Sequence, residues 1–101
     1  MVQVTTAVKS REYAEEIARR VVEEKLAACV QVSGPVTSLY TWKGEICMEE
    51  EWLCVMKTLR SRSRELMEFV RRNHPYETPE IIVLPVIDAF QDYLDWITEV
   101  T

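Results

Sequence analysis

The sequence predicts a single domain of the α+β class, a mixed α/β fold in which two strand–helix units flank a long β-hairpin. Two stretches with apolar residues spaced three and four apart separate stretches of alternating or continuous apolar character. A glycine-containing turn at Lys43-Gly44 joins two long strand-like stretches with no helix between them, which is typical of a hairpin. At 101 residues the chain has the usual length of one domain, so we expect residues 1–101 to form one unit.

The first predicted unit is a strand followed by an amphipathic helix. "VQVTTAV" (2–8) alternates apolar and polar residues and is β-branched, as strands are. Ser10 can cap the helix that follows, because its hydroxyl can accept from a free amide of the first turn. The apolar stripe of this helix is expected to consist of Ala14, Ile17, Ala18, Val21 and Val22.

The middle of the chain predicts a strand and then the hairpin. "LAACVQV" (26–32) has the composition of a buried strand and is expected to end at Gly34-Pro35. The first arm of the hairpin then starts at Val36, and the second arm is "EICMEEEWLCVMKT" (45–58).

The last part predicts a helix, a strand and a final helix. Ser61 is expected to cap the second helix, which should end near Asn73 because the residue before Pro75 is pushed out of the helical region. "IIVLPV" (81–86) is a continuous apolar run, as expected of a strand buried on both faces. A capping box at Asp88 could start the last helix, unless it begins one turn later. The resulting order, β-α-β-β-α-β plus a C-terminal helix, is the ferredoxin-like arrangement.

The hairpin is too long for its own domain. Residues 45–57 would extend about 43 Å at roughly 3.3 Å per residue, whereas a domain of about 100 residues is only about 35 Å across. Its tip carries Tyr40, Trp42 and Ile46, which are costly to leave in water. We therefore expect the protruding part to pair with other subunits of an oligomer.

Composition excludes several classes of function. A net charge of −5 argues against nucleic-acid binding, which depends on neutralising phosphates with Lys and Arg. No apolar window approaches the roughly 20 residues of a membrane span, and the N-terminus lacks the pattern of a signal peptide. Three cysteines without CxxC spacing predict neither a zinc cage nor a disulfide framework. These features together predict a cytoplasmic protein that binds neither nucleic acid nor membrane.

The segment "NHPYETPE" (73–80) contains the only histidine of the chain, close to two prolines that fix the backbone. His74 is the main candidate metal ligand, since imidazole is the commonest metal-binding side chain. Glu77 and Glu51 are the candidate carboxylates, and Glu49 lies on the same strand face as Glu51. The alternative is structural: His74 could interact with the C-terminal end of the second helix, and the glutamates could serve solubility or form pairs between subunits.

Aromatic residues suggest either an interface or a ligand cleft. Packing between subunits is the simpler explanation for them, and a stacking wall for a planar ligand is the other. Lys57, at the end of its strand, could pair with a glutamate in the same cleft. The candidate residues of this cleft or interface are Tyr40, Trp42, Trp52, Lys57 and Tyr76. No Ser-His-Asp set and no glycine-rich phosphate loop is present, so we do not expect an enzyme.

Five segments of the sequence together resemble the CutA family of divalent-cation tolerance proteins. They are "EKLAACV" (24–30), "GPVTSLYTWKGEI" (34–46), "KT" (57–58), "HPYETPEIIVLPV" (74–86) and "YLDW" (93–96). The resemblance implies a ferredoxin-like homotrimer that interlocks through long β-ribbons, similar in outline to the PII signalling proteins. It also implies a role in tolerance to copper and other divalent metals, with copper binding in some members and no established reaction.

The chain departs from the copper-binding members of that family at two positions. Thr5 and Asn73 stand where those members are described with a cysteine and a further histidine. The soft thiolate and second imidazole that favour copper are therefore missing. Two hypotheses follow: a homotrimer that binds copper or zinc weakly, with no obligatory cofactor, or a PII-like sensor that binds a small molecule or partner between subunits.

Overall fold

The computed structural model describes residues 1–101 and has seven elements. They are β1 (Val2–Val8), α1 (Arg11–Glu23), β2 (Cys29–Trp42), β3 (Glu45–Thr58), α2 (Arg60–Asn73), β4 (Ile81–Pro85) and α3 (Gln91–Val100). The four strands form one antiparallel sheet in the order β2-β3-β1-β4. This confirms the predicted α+β, ferredoxin-like order with its additional C-terminal helix.

The core lies between one face of the sheet and the two helices α1 and α2. The face contributes every second residue of β1 and β3, as the two-residue period of a strand requires. Helix α1 contributes its predicted apolar stripe, although Val22 is exposed, and α2 contributes Leu66, Phe69 and Val70. The buried core side chains include Val4, Val8, Ile17, Val21, Met56, Leu66, Phe69 and Val70.

The two long helices begin in different ways. The Ser10 hydroxyl accepts a hydrogen bond from the Tyr13 amide at 3.1 Å, so its prediction as a cap is confirmed. The prediction for Ser61 is wrong, because α2 already begins at Arg60 and its cap position, Leu59, offers no side-chain acceptor. The C-terminal end of α2 at Asn73 is where the following proline was expected to stop it.

Strand β2 does not end at Gly34-Pro35, contrary to the prediction. Ser33 pairs with Leu53 and Val36 pairs with Glu51, so Gly34 and Pro35 together lie opposite one residue of β3. This is a β-bulge, and its unpaired position accommodates a proline that has no N–H to donate. The bulge thus makes β2 one strand of 14 residues.

The sequence predicts that strand β4 is buried on both faces. Within a single chain this prediction is wrong. Strand β4 is an edge strand that pairs only with β1. Ile82 and Leu84 remain 46% and 47% exposed on the face that carries no core. An apolar run indicates a strand, but it does not show whether anything covers its second face.

The β2–β3 hairpin protrudes from the body of the domain. The chain measures 45 × 26 × 22 Å, and the long dimension agrees with the length predicted for the hairpin. Apolar side chains near the tip are left in solvent, with Leu39 65%, Met48 69% and Ile46 80% exposed. The long hairpin is therefore confirmed, while its part in assembly stays a prediction.

Candidate functional site

A cleft of about 980 Å³ opens between the β2–β3 hairpin and the loop of residues 74–80 that joins α2 to β4. We call it the hairpin cleft. Fifteen residues line it. Five of the eight predicted site residues are among them, namely Tyr40, Trp42, Glu51, Tyr76 and Glu77. The structure therefore brings together residues that are up to 37 positions apart in the sequence.

The hairpin contributes one face to this cleft. Tyr40 pairs with Cys47, and Glu49 and Glu51 follow Cys47 at every second position of β3. Side chains two apart on a strand share a face, so these four residues point the same way. Glu50, between Glu49 and Glu51, lies on the other face.

The opposite wall is a loop that is held to the sheet by hydrogen bonds from side chains to backbone carbonyls. The Thr6 hydroxyl donates to the Glu80 carbonyl at 2.7 Å, which fixes the end of the loop to β1. At the other end, His74 Nε2 donates to the Ala7 carbonyl at 2.9 Å, and the Tyr76 amide donates to His74 Nδ1 at 3.2 Å. A carbonyl can only accept and an amide can only donate, so His74 is neutral with its proton on Nε2.

His74 therefore acts in this chain as a structural bridge between β1 and the loop. Both of its ring nitrogens are occupied, and the ring does not line the hairpin cleft. Burial lowers the pKa of His74, against the opposing effects of its bond to Ala7 and of the nearby Glu51 carboxylate. No group of three or more His, Cys, Asp or Glu side chains lies close enough to hold a metal ion. The metal-binding role of His74, Glu51 and Glu77 stays a prediction.

Glu51 is the most buried acid of the cleft. It is only 9% exposed, and it accepts a hydrogen bond from the Tyr76 hydroxyl at 2.8 Å. Burial and this carboxylate together raise the pKa of Tyr76. Likewise, loss of hydration and the neighbouring Glu49 raise the pKa of Tyr40. Both phenols thus stay protonated at neutral pH, and that of Tyr76 donates to the carboxylate of Glu51.

Two predicted residues do not line the hairpin cleft. Lys57 donates to Gln31 near the other end of β3, so its predicted pairing with a glutamate does not occur within the chain. Trp52 packs against the core and against Gly34, where an added Cβ would come within 2.5 Å of the indole. Trp52 therefore stabilises the bulge at the base of the hairpin.

Sequence reasoning missed other residues of the cleft. Cys47 could have been found, because it continues the alternation of Glu51 and Glu49 along β3. Glu80 could not, since it reaches the cleft only through the loop that Thr6 holds. Thr5 and Asn73 are the two positions at which the chain differs from the copper-binding members. Thr5 lies in the middle of β1, and the side-chain oxygen of Asn73 accepts a hydrogen bond from Arg20 at 2.9 Å between the two helices.

Comparisons with known proteins agree with this fold. A sequence model of the family described as "CutA1 divalent ion tolerance protein" matches residues 2–100. The divalent-cation tolerance protein CutA of Thermus thermophilus is 43% identical over 98 residues, which are 97% of this chain and 95% of that protein. Protein CutA of the mouse is 50% identical over 88 residues, 87% of this chain, and the chain spans only 50% of its length.

Solved structures show the same architecture. The Cut A1 protein from Thermus thermophilus superposes with a TM-score of 0.94 at 42% identity, covering 100% of this chain and 99% of that one. The CutA structure from Archaeoglobus fulgidus, described as periplasmic, has a TM-score of 0.95 at 36% identity, covering 99% and 98%. A 38% identical relative from Arabidopsis thaliana, covering 97% of this chain and 54% of that protein, is named chloroplastic.

The match extends over almost every residue from β1 to α3. Its description names tolerance to divalent ions and no reaction, in agreement with the expectation that the chain is not an enzyme. Relatives are named for different compartments, so membership does not by itself locate this chain. None of the three helices combines the length and the apolar composition of a membrane span. The chain belongs to the CutA1 divalent ion tolerance protein family.

Proposed function

We propose that the chain works as a cytoplasmic homotrimer that contributes to tolerance of divalent cations and binds them weakly. The hairpin cleft is the observation that carries this proposal. Four of its lining residues are glutamates, Glu49, Glu51, Glu77 and Glu80, and none is Lys, Arg or His. Carboxylate oxygens at this density attract divalent cations, and the chain supplies no positive charge within the cleft to oppose them.

Assembly is supported by the surface that the hairpin leaves uncovered. Leu39, Ile46 and Met48 are each at least 65% exposed, and an isolated two-stranded ribbon is marginal in water. Both edge strands of the sheet, β2 and β4, can pair with further strands. The three cysteines are free, which suits a reducing cytoplasm.

Metal binding is expected to be weak because the ligand set of one chain is incomplete. Glu51 and Glu77 line the same cleft, whereas His74 can bind copper or zinc only by giving up one of its two backbone bonds. The remaining ligands would come from water or from a neighbouring subunit. We therefore expect an affinity for Cu(II) or Zn(II) no tighter than about micromolar, and no obligatory metal.

Calorimetric titration of Cu(II) and Zn(II) tests this proposal. If His74 is a ligand, binding weakens in His74→Ala and fades as the pH falls below about 6.5 towards the lowered pKa of His74, because a metal-bound imidazole must be deprotonated. Glu50→Gln, on the opposite face of the hairpin, is the matched control and should bind as the wild type does. Equal affinities of His74→Ala and the wild type remove His74 from the ligand set, and nanomolar binding by the wild type contradicts the weak-site proposal.

A second candidate function is a PII-like sensor that binds a small molecule or a protein partner in clefts between subunits. The volume of the hairpin cleft favours it, since about 980 Å³ lies at the upper end of the range for small-molecule sites. Tyr40 and Trp42 supply an aromatic wall. Native mass spectrometry of protein taken from cell lysate would show a retained organic ligand as added mass on the trimer. Trimers that carry metal ions and no organic ligand would favour the first candidate function.

A further inference from the structure

We propose that a second pocket, between α1 and the C-terminal end of α2, binds the carboxylate or phosphate group of a small organic anion through Arg20 and Arg72. We call it the interhelical pocket. It encloses about 360 Å³ and shares no lining residue with the hairpin cleft. None of the exposed apolar side chains of the outer hairpin or of β4 lines it, so the proposed assembly does not need this surface. Its lining includes Tyr13, Glu16, Arg20, Arg72, Asn73 and His74.

The guanidinium group of Arg20 is held in place by neutral partners. Its Nη1 donates to the side-chain oxygen of Asn73 at 2.9 Å, and its Cζ lies 5.2 Å from the centre of the Phe69 ring. The orientation of Asn73 is itself fixed, because its side-chain nitrogen donates to the Phe69 carbonyl at 2.8 Å. Arg20 is therefore already positioned, and its remaining N–H groups can bind the two oxygens of a carboxylate or phosphate.

Neither arginine of the pocket has an acidic partner in the chain. Each has a glutamate one turn earlier on its own helix, which is the spacing of a helical ion pair. Glu68 pairs with Arg71 at 2.6 Å instead of Arg72, and no ion pair joins Glu16 to Arg20. Two positive charges thus line one pocket without a counter-charge bonded to them. Glu16 is the only acid of the lining and would oppose an anion.

The size of the pocket indicates an anion with an organic part. A bare phosphate would fill only a small part of about 360 Å³, a volume within the range of small-molecule sites. The other polar groups of the lining are already bonded within the chain. The Tyr13 hydroxyl donates to the Asn73 carbonyl at 2.8 Å, and both ring nitrogens of His74 have backbone partners. The two arginines are therefore the groups left to bind the charged end of a ligand.

The distribution of charge in the chain favours an anion on this side. Residues 9–25 and 60–72, which form and flank α1 and α2, carry ten of the twelve Lys and Arg residues and only seven of the 17 acids. The helical side is therefore net positive, although the whole chain carries a charge of −5. Such a field attracts anions towards the helices, and a concave site concentrates it.

NMR titration of the isotopically labelled, intact protein at constant pH and ionic strength tests the inference. Phenyl phosphate and benzoate are the probes, because they carry a phosphate and a carboxylate on the same ring, and benzyl alcohol is the neutral control. We expect saturable shifts of the side-chain signals of Arg20, Arg72 and Asn73 with at least one anion, and none with the alcohol. The tighter anion identifies the preferred charged group. Shifts that do not saturate, that spread equally over all arginines, or that the alcohol reproduces would overturn the inference.

Substitutions locate the site. Arg72→Gln should weaken binding of the tighter probe by about fivefold, and Arg20→Lys, which keeps the charge but loses the planar fork, by a similar factor. Glu16→Gln removes the opposing charge and should tighten binding by about twofold. The matched control, Arg64→Gln, removes the same charge from an exposed position of α2 and should leave the affinity unchanged. Equal losses in Arg72→Gln and Arg64→Gln, or no loss in Arg72→Gln, would overturn the inference.

A zinc titration of the same samples separates this inference from the proposed function. Protein that binds zinc weakly but neither anion overturns the anion site alone. Protein that binds an anion in the interhelical pocket and no zinc supports the anion site while contradicting the proposed cation binding.

Discussion

The body of the domain and the outer half of the β2–β3 hairpin use similar residues in opposite ways. In the body, alternate residues of β1 and β3 such as Val4 and Met56 are fully buried under α1 and α2. Beyond the bulge at Gly34, equally apolar side chains such as Ile46 and Met48 are 80% and 69% exposed. The difference lies in what covers them, because no helix of the chain reaches the outer hairpin.

This contrast indicates how the two regions obtain their stability. The core under α1 and α2 buries its apolar side chains within one chain, so its folding should not depend on protein concentration. The outer hairpin can bury its surface only against other chains, so its order should depend on assembly and therefore on concentration. Three substitutions and a change of pH test this division, in decreasing order of expected effect.

Replacing Trp42 tests the outer hairpin. If the proposed trimer buries this side chain, Trp42→Ala should cost about 3–5 kcal/mol per subunit and lower the mass seen by light scattering at micromolar concentration. Thermal unfolding should also become more dependent on protein concentration. A trimer of unchanged stability, with loss of ligand binding alone, would assign Trp42 to the wall of the cleft instead.

Replacing Leu66 tests the body. The side chain is completely buried between α2 and the sheet, so Leu66→Ala should reduce the free energy of unfolding by about 2–5 kcal/mol. Chemical denaturation measures this loss. The trimeric mass should persist below the transition, and a shift from trimer to monomer in the folded state would contradict the division between the two regions.

Replacing Gly34 tests the joint between the regions. A Cβ at this position would lie 2.5 Å from Trp52 Cδ1 and 3.0 Å from the Glu51 carbonyl oxygen. Gly34→Ala should therefore destabilise the protein by about 1–3 kcal/mol, as overpacking does. Gly44→Ala is the control: it has a positive φ of 81° but no atom within 4 Å of the added Cβ, and its cost should be limited to the backbone, about 1 kcal/mol. Equal losses in thermal stability would mean that the indole moves aside freely.

Lowering the pH tests how the loop is held to the body. Because burial lowers the pKa of His74 below its ordinary value of 6.5, the unfolded chain binds more protons at this site as the pH falls. Stability from this group is therefore present above about pH 6.5 and is lost as the pH falls towards the lowered pKa. Urea denaturation at pH 7.5, 6.5 and 5.5 should show a steeper loss for the wild type than for His74→Gln. Parallel curves would show that the ring is hydrated in solution.

Local chemistry explains which elements could be predicted from the sequence. The helix that begins after Ser10 and the end of α2 before Pro75 follow from hydrogen bonding and backbone geometry that a few neighbouring residues determine. The long hairpin follows from its glycine turn and its alternation. The continuity of β2 through Gly34-Pro35 could not be predicted, because it depends on pairing with a strand about 20 residues further along.

The sequence predicts which residues belong to the candidate site better than it predicts what each residue does there. The sequence identified Glu51, Tyr76 and Glu77, because a proline-bound loop and an acidic strand are visible as patterns. The position of His74 depends on the Ala7 carbonyl, 67 residues away in the chain. No spacing rule reveals such a contact, so the sequence alone favours the imidazole as a ligand and cannot show its two backbone bonds.

The bulge at Gly34-Pro35 also changes which residues of β2 share a face. Before it, odd-numbered residues such as Gln31 and Ser33 lie on the face of Lys57; after it, even-numbered residues such as Tyr40 lie on the face of Glu51. Deleting one of the two bulge residues would leave a regular ladder in which every later residue of β2 keeps its partner on β3, so Tyr40 and Trp42 would still lie on the face of Glu51. The joint can therefore lose a residue without reassigning the wall of the cleft, which makes it a place where evolution can change the length of β2 and keep the cleft.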